Sequence, residues 1–255
     1  MIPDIRRVGQ HATLYATARN EQIIDFIIDH IGEGWQYSIE SYGGIHRFVF
    51  KGPKGELTAN AHLIASVAEN PPTLLWRWSG QAQEGNTAGL NVSNAAEAMR
   101  KWGLQQDLPG FVNQEVPYQP GEDTVTSVAG DVGDAAFEIF GPQTVFLYVP
   151  INQSGTFATF LLDGFSVPMP EMTLEEIFVK WDRILSHCDD PAWSIEGISH
   201  LRPDWRVEEI EPEEYQRAWK IVDEKGRYFV AELTVNREER YMNLSKKGLF
   251  TEEGP

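Results

Sequence analysis

Ile45-His46-Arg47-Phe48-Val49-Phe50-Lys51, the turn Gly52-Pro53-Lys54-Gly55 and the run Glu56-Leu57-Thr58-Ala59-Asn60-Ala61-His62-Leu63-Ile64-Ala65-Ser66-Val67 decide the fold. Side chains of a strand alternate between two faces, so a period of two is the mark of a sheet with unlike sides. In the first run Ile45, Arg47 and Val49 alternate with His46, Phe48 and Phe50. In the second, Leu57, Ala59, Ala61, Leu63, Ala65 and Val67 take one face, while Thr58, Asn60, His62, Ile64 and Ser66 take the other. A glycine and proline turn joins the two. Trp35–Glu40 reads as a strand before them and Thr73–Ser79 as one after, entered through Asn70-Pro71-Pro72, with Leu74, Trp76 and Trp78 on a shared face. Four strands on short connections predict an antiparallel meander.

Helices flank this meander. Residues 5–31 carry Ile23, Ile24, Ile27, Ile28 and Ile31 at helical spacing, with an interruption expected near Asn20 and an end at Gly32 and Gly34. Ala95, Ala98, Met99 and Trp102 form a second stripe, with Ser93 as cap and Gly103 as stop. Phe111–Tyr118 reads as short and extended. Val132, Ala135, Ala136, Ile139 and Phe140 read as a compact helix capped by Asp131. Thr144–Val149 and Thr156–Leu162 make a hairpin. From Thr173 to Cys188, a Thr173/Glu176 capping box opens a stripe of Leu174, Ile177, Phe178, Trp181, Ile184, Leu185 and Cys188. Asp189-Asp190-Pro191 breaks the chain. Tyr215–Val222 and Tyr228–Val235 form a last hairpin, and a final strand is expected near Arg240–Leu244. The fold class is α+β: an antiparallel sheet with helices covering one face, a main domain over residues 5–188 and a small β-rich extension over 189–255.

The order of these elements, with Gly34-Trp35, then Thr73-Leu74-Leu75-Trp76-Arg77-Trp78-Ser79, then an alanine-rich helix closed by Gly103, resembles a bacterial family of unknown function. That family's signature is a strand reading W-x-W followed by a small polar residue. Here Ser79-Gly80 stand where the family usually has a small residue and then Asn. The resemblance covers roughly residues 5–188. It implies the fold and no chemistry.

Composition narrows the partners. The formal net charge is −17, of which −9 falls within residues 171–214. Such a field repels phosphate backbones and anionic bilayers, so nucleic acid and membrane are disfavoured, and a basic protein is the partner it would attract. Glu208, Glu209, Glu213 and Glu214 are the densest part of the acidic stretch and form the candidate interaction surface. No apolar run approaches the roughly 18 residues of a membrane span. One cysteine, Cys188, excludes an internal disulfide. With no signal-peptide core in Met1–Arg7, a cytoplasmic location is expected.

No phosphate-binding glycine loop, zinc-protease helix or calcium loop occurs, and no cofactor is called for. Gly164-Phe165-Ser166-Val167-Pro168 begins like a nucleophile elbow but lacks the closing glycine and helix. Cys188, His187, Asp189 and Asp190 lack the spacing of a metal site, and Cys188 reads as a core thiol. Trp76 and Trp78 either pack under the 93–103 helix or line a pocket with Arg77 and the polar row Thr58, Asn60 and His62. Two function classes follow. The first is a non-catalytic binding or protein-interaction module with an acidic surface. The alternative is a small-molecule enzyme, hydrolase-like, using His62 as acid or base near the Trp76/Trp78 face.

Overall fold

The computed structural model describes residues 2–42, 45–79, 95–121, 123–213, 215–236 and 241–251. It divides into two compact units, one of Met1–Gly9 with Asn20–Pro170, the other of Gln10–Arg19 with Glu171–Pro255. The architecture is α+β. Among the described residues seven strands form one antiparallel sheet in the first unit, and four form another in the second.

The first unit is organised by one long strand. Helix α1 (Pro3–Ile31) leads to β1 (Gln36–Tyr42), β2 (Ile45–Gly52), β3 (Gly55–Ala68) and β4 (Thr73–Trp76). These pair in sequence order as the expected meander, and β2 passes to β3 through a turn that sets Gly52 against Gly55. Along one edge β3 carries β2 at residues 55–61 and β4 at 65–68. Along the other it carries β7 (Phe157–Asp163), itself in a hairpin with β6 (Val145–Pro150). Between Leu63 and Ala65 the β3/β7 register slips by one residue. An extra residue reverses the facing of everything beyond it. Leu57, Ala59 and Ala61 therefore join one core cluster, with Leu63 packed against it, whereas Ala65 and Val67, equally buried, are not part of it. The single face expected from Leu57 to Val67 is split in two.

Helices stand against both faces of this sheet, not one. On the first, Ile23, Phe26, Ile27 and Ile31 of α1 pack with Phe48, Phe50, Leu57, Phe160 and Leu162. On the second lies α4 (Val125–Phe140), where Thr159 donates its hydroxyl to the Ala129 carbonyl at 3.2 Å and Phe137 meets Phe146 edge-on at 5.2 Å. Covering on two sides explains why five successive residues of β7, Ala158 to Leu162, are all buried. Tyr37 on β1 reaches the Pro150 carbonyl at the end of β6 (3.4 Å), so the sheet curls around the α1 core.

Several sequence expectations shift for local reasons. Helix α1 runs unbroken through Asn20, because one unfavourable residue costs only about 0.7 kcal/mol and the packed isoleucines outweigh it. β4 stops at Trp76, and Arg77–Ser79 tighten into a 3₁₀ turn, so Trp76 and Trp78 do not share a strand face. Helix α2 spans Ala95–Gln105; the expected cap Ser93 lies outside the described residues. The 111–118 segment splits into a short helix α3 (Pro109–Val112), started by Pro109, and β5 (Glu115–Pro117). Helix α4 begins two turns before Asp131, where Thr124 and Ser127 cap each other reciprocally.

In the second unit α5 (Leu174–Leu185) opens on the capping box of Thr173 and Glu176 and buries Leu174, Ile177, Trp181, Ile184 and Leu185. Phe178 is half-buried, edge-on to Phe229. Asp189-Asp190-Pro191 is a helix start as well as a break. Asp190 accepts from the Trp193 amide at 3.2 Å and Pro191 opens α6 (Pro191–Leu201). Four antiparallel strands follow: β8 (Arg206–Ile210), β9 (Arg217–Val222), β10 (Arg227–Asn236) and β11 (Tyr241–Thr251), in the order β11-β10-β9-β8. The β9/β10 turn is held by Asp223, whose carboxylate accepts from the amides of Lys225 and Arg227 and from Arg227 Nε at 2.7 Å. Residues 10–19 of α1 belong here. Gln10 Oε1 accepts from the amides of Asp189 and Asp190, and the Lys180 ammonium bonds the Ala18 carbonyl.

Trp181 is 0% exposed and packs edge-on against Phe229 at 5.3 Å. Trp181→Ala should lower the unfolding free energy by about 3–5 kcal/mol in urea titrations followed by circular dichroism. A loss below about 1 kcal/mol would place the ring outside the core.

Candidate functional site

The side of β3 that faces away from the α1 core carries Thr58, Asn60 and His62, and it meets the end of β7 there. Asn60 lies opposite Asp163, and its Nδ2 donates to Asp163 Oδ1 at 2.8 Å. His62, two residues on and so on the same face, places Nε2 3.2 Å from Asp163 Oδ2. The carboxylate is thus held at both oxygens. A carboxylate only accepts, so Nε2 is the protonated nitrogen and Nδ1 carries the lone pair when the ring is neutral. The His62 side chain is 17% exposed and that of Asp163 39%.

The chain beyond Asp163 is shaped to permit this. Gly164 adopts φ +57°, and a Cβ there would sit 2.6 Å from Asn60 Nδ2. Past it, the Ser166 amide donates to the Thr58 carbonyl at 2.9 Å, and the Thr58 amide donates to Ser166 Oγ at 3.2 Å. In the other direction the row continues by register: Asn60 faces Arg47 of β2, and Arg47 faces Glu40 of β1. Directly opposed residues share a face with Cβ atoms roughly 5 Å apart. Glu40, Arg47, Asn60 and Asp163 therefore stand in line across four strands, with His62 diagonal to Arg47. Arg47 is exposed, and its side chain makes no ion pair or hydrogen bond among the described residues.

The other expected site residues lie apart from this row. Trp76 is 1% exposed, its Nε1 donates to the Gly110 carbonyl at 2.8 Å, and its ring stacks on Phe111, so it offers no surface. Trp78 is half-buried with the Arg100 guanidinium 4.7 Å over its ring, and Arg77 is exposed. The acidic stretch is largely paired. Glu208 meets Arg206 at 3.3 Å, Glu209 meets Arg217 at 2.7 Å, and Glu213 meets Lys247 at 2.7 Å; Glu214 lies outside the described residues. Hydrogen bonds from Arg217 and Lys247 hold the Glu209 and Glu213 carboxyls below the usual range. Glu208 and Glu209 are neighbours on a strand and point to opposite faces.

A cleft of about 600 Å³ in the second unit runs past Asp189, Asp190, Gln216 and Arg217. Among the described lining residues the one cation, Arg217, is already bonded to Glu196 and Glu209. Cys188 is 5% exposed with Sγ 3.6 Å from the Ile184 carbonyl. Among the described residues no three His, Cys, Asp or Glu side chains are grouped to hold a metal ion, and no helix is long and apolar enough to cross a membrane.

A family model, the Family of unknown function (DUF6882), matches residues 6–165. The chain belongs to DUF6882. No curated protein and no solved structure matches it. Arg47, Asn60, His62 and Asp163 all fall inside the DUF6882 segment, and the acidic residues from Glu208 onward fall beyond it. Sequence reasoning found Asn60 and His62 but missed Asp163 and the place of Arg47 beside them. The available signal was a lone acid closing the run Phe157–Leu162, apolar but for Thr159.

Gly164→Ala should push Asn60 off Asp163 as well as strain the backbone, lowering the unfolding free energy by about 2 kcal/mol or more. Gly34, at φ +72° with nothing within 4 Å of an added Cβ, is the control. Gly34→Ala should cost about 1 kcal/mol. Equal losses in urea titration would show that the Asn60 contact is dispensable.

Proposed function

We propose that this DUF6882 protein is a binding module for a small anionic ligand, taken up on the polar sheet face around Arg47, Asn60, His62 and Asp163. The observation that carries this reading is Arg47, an exposed guanidinium whose side chain has no ion pair among the described residues, set beside Asn60 and His62, which the Asp163 carboxylate fixes in place. A guanidinium presents a planar fork that suits a carboxylate or phosphate, and charge-assisted hydrogen bonds are about twice as strong as neutral ones. The net charge of −17 opposes any anion at long range, but salt screens it over about 8 Å at physiological ionic strength. The local cation then decides, and only for ligands small enough to stay near it. A basic protein docking on the acidic stretch has less support, since its three described candidate carboxylates, Glu208, Glu209 and Glu213, already hold basic side chains.

Succinate and inorganic phosphate, titrated separately into ¹⁵N-labelled protein, should produce saturable shifts at the Arg47 side chain and the Asn60 amide. Arg47→Ala should weaken binding about tenfold or more, the equivalent of one charged hydrogen bond. Arg77→Ala, an exposed arginine away from the row, should leave it unchanged. Equal effects of the two substitutions, or no saturation with either anion, would overturn the reading.

A further inference from the structure

The geometry points to a hydrolytic activity at this same face: His62 acts as general base on water, cleaving a carboxylic ester that also carries an anionic group. The inference rests on the anion-binding reading and adds chemistry to it. Three features of the structure specify it.

The first is the tautomer. With Nε2 directed at Asp163 Oδ2 at 3.2 Å, the neutral ring keeps its lone pair on Nδ1. Nδ1 has no hydrogen-bond partner among the described residues, and the side chain is 17% exposed. The second is the hold on the ring. Asp163 could swing away from His62 were it not tied by its other oxygen to Asn60 Nδ2 at 2.8 Å, and the glycine at position 164 leaves room for that bond. Asp163 and Asn60 are positioning residues, acting through His62. The third is the anchor. Arg47 is a diagonal cross-strand neighbour of His62, a spacing of roughly 7–8 Å. An anion on Arg47 thus sets the reacting group some bonds away, over the imidazole.

The electrostatics choose the electrophile. Asp163 beside His62 repels a phosphoryl group at the reacting end, whereas a neutral ester carbonyl meets no such barrier. In the step, His62 Nδ1 takes a proton from water as the water oxygen bonds to the carbonyl carbon. The bond from that carbon to the alcohol oxygen then breaks, and the imidazolium returns its proton to the departing alkoxide. Ester and water become carboxylic acid and alcohol, and His62 ends as it began. The substrate class is a short ester with a carboxylate within reach of Arg47, a monoester of a small dicarboxylic acid being the simplest case.

The test uses the full chain with mono-4-nitrophenyl succinate, and with its hydrolysis-resistant amide, N-(4-nitrophenyl)succinamic acid, as binding probe. The expected result is saturable ester turnover that falls about a hundredfold in kcat in both His62→Ala and His62→Gln, the lower range for loss of a general base. Added imidazole should restore part of the His62→Ala rate. Asp163→Asn should lower kcat about tenfold with KM held, and Arg47→Ala should raise KM about tenfold with kcat held. The chain has six histidines, and exposed imidazoles attack nitrophenyl esters unaided. His200→Ala, exposed and in the second unit, is therefore the control and should leave turnover unchanged. A loss of only about one-sixth in His62→Ala, matched by His200→Ala, overturns the inference. Amide bound through Arg47 without His62-dependent turnover leaves the binding reading standing and removes this one. No amide binding removes both.

Discussion

The extra residue between Leu63 and Ala65 is the constraint on which the first unit depends. β3 must pair with β2 and β4 on one edge and β7 on the other, and no single pleat phase serves both halves of its length. Before the slip, its small and apolar residues fill the core against α1, and its polar residues look the other way. After it, Ala65 and Val67 turn to the second side, where α4 and the aromatic pair Trp76/Phe111 provide a different core. One strand thus serves two interiors. His62 sits at the changeover, the last polar residue before that side becomes apolar.

Much of this fold could be read in the residues, since hydrophobic period and turn chemistry are local. The meander, both hairpins and the capping box of α5 all follow from neighbours a few positions apart. What could not be read depends on partners distant in sequence. The alternation of Leu57 through Val67 looks unbroken, because Leu63-Ile64-Ala65 are apolar on either phase and hide the slip. β8 was concealed for the opposite reason. Its Arg206-Val207-Glu208-Glu209-Ile210 is too charged to resemble a strand until Arg217 of β9 is set against Glu209.

The site shows the same division. Asn60 and His62 were visible because they share a face of one strand, a matter of counting by two. Asp163 lies more than a hundred residues away and reaches them only through the β3/β7 register. Charge misled in the complementary direction. A net −9 over residues 171–214 suggests an unsatisfied surface, yet the bases that compensate Glu209 and Glu213 come from beyond that stretch, at Arg217 and Lys247. Sequence charge counts what is near along the chain, and pairing counts what is near in space.

The shared helix has a consequence for what the DUF6882 boundary means. Residues 10–19 of α1 lie inside the matched segment, but their contacts lie outside it: Gln10 with Asp189 and Asp190, His11 with Trp193, Ala18 with Lys180. Gly197 owes its lack of a side chain to the same meeting, since a Cβ there would overlap the His11 carbonyl. The stretch that the family model matches is therefore not the stretch that is buried together. Any relative that carries the matched segment without this C-terminal unit must either clothe the middle of its first helix with something else or have a different sequence there.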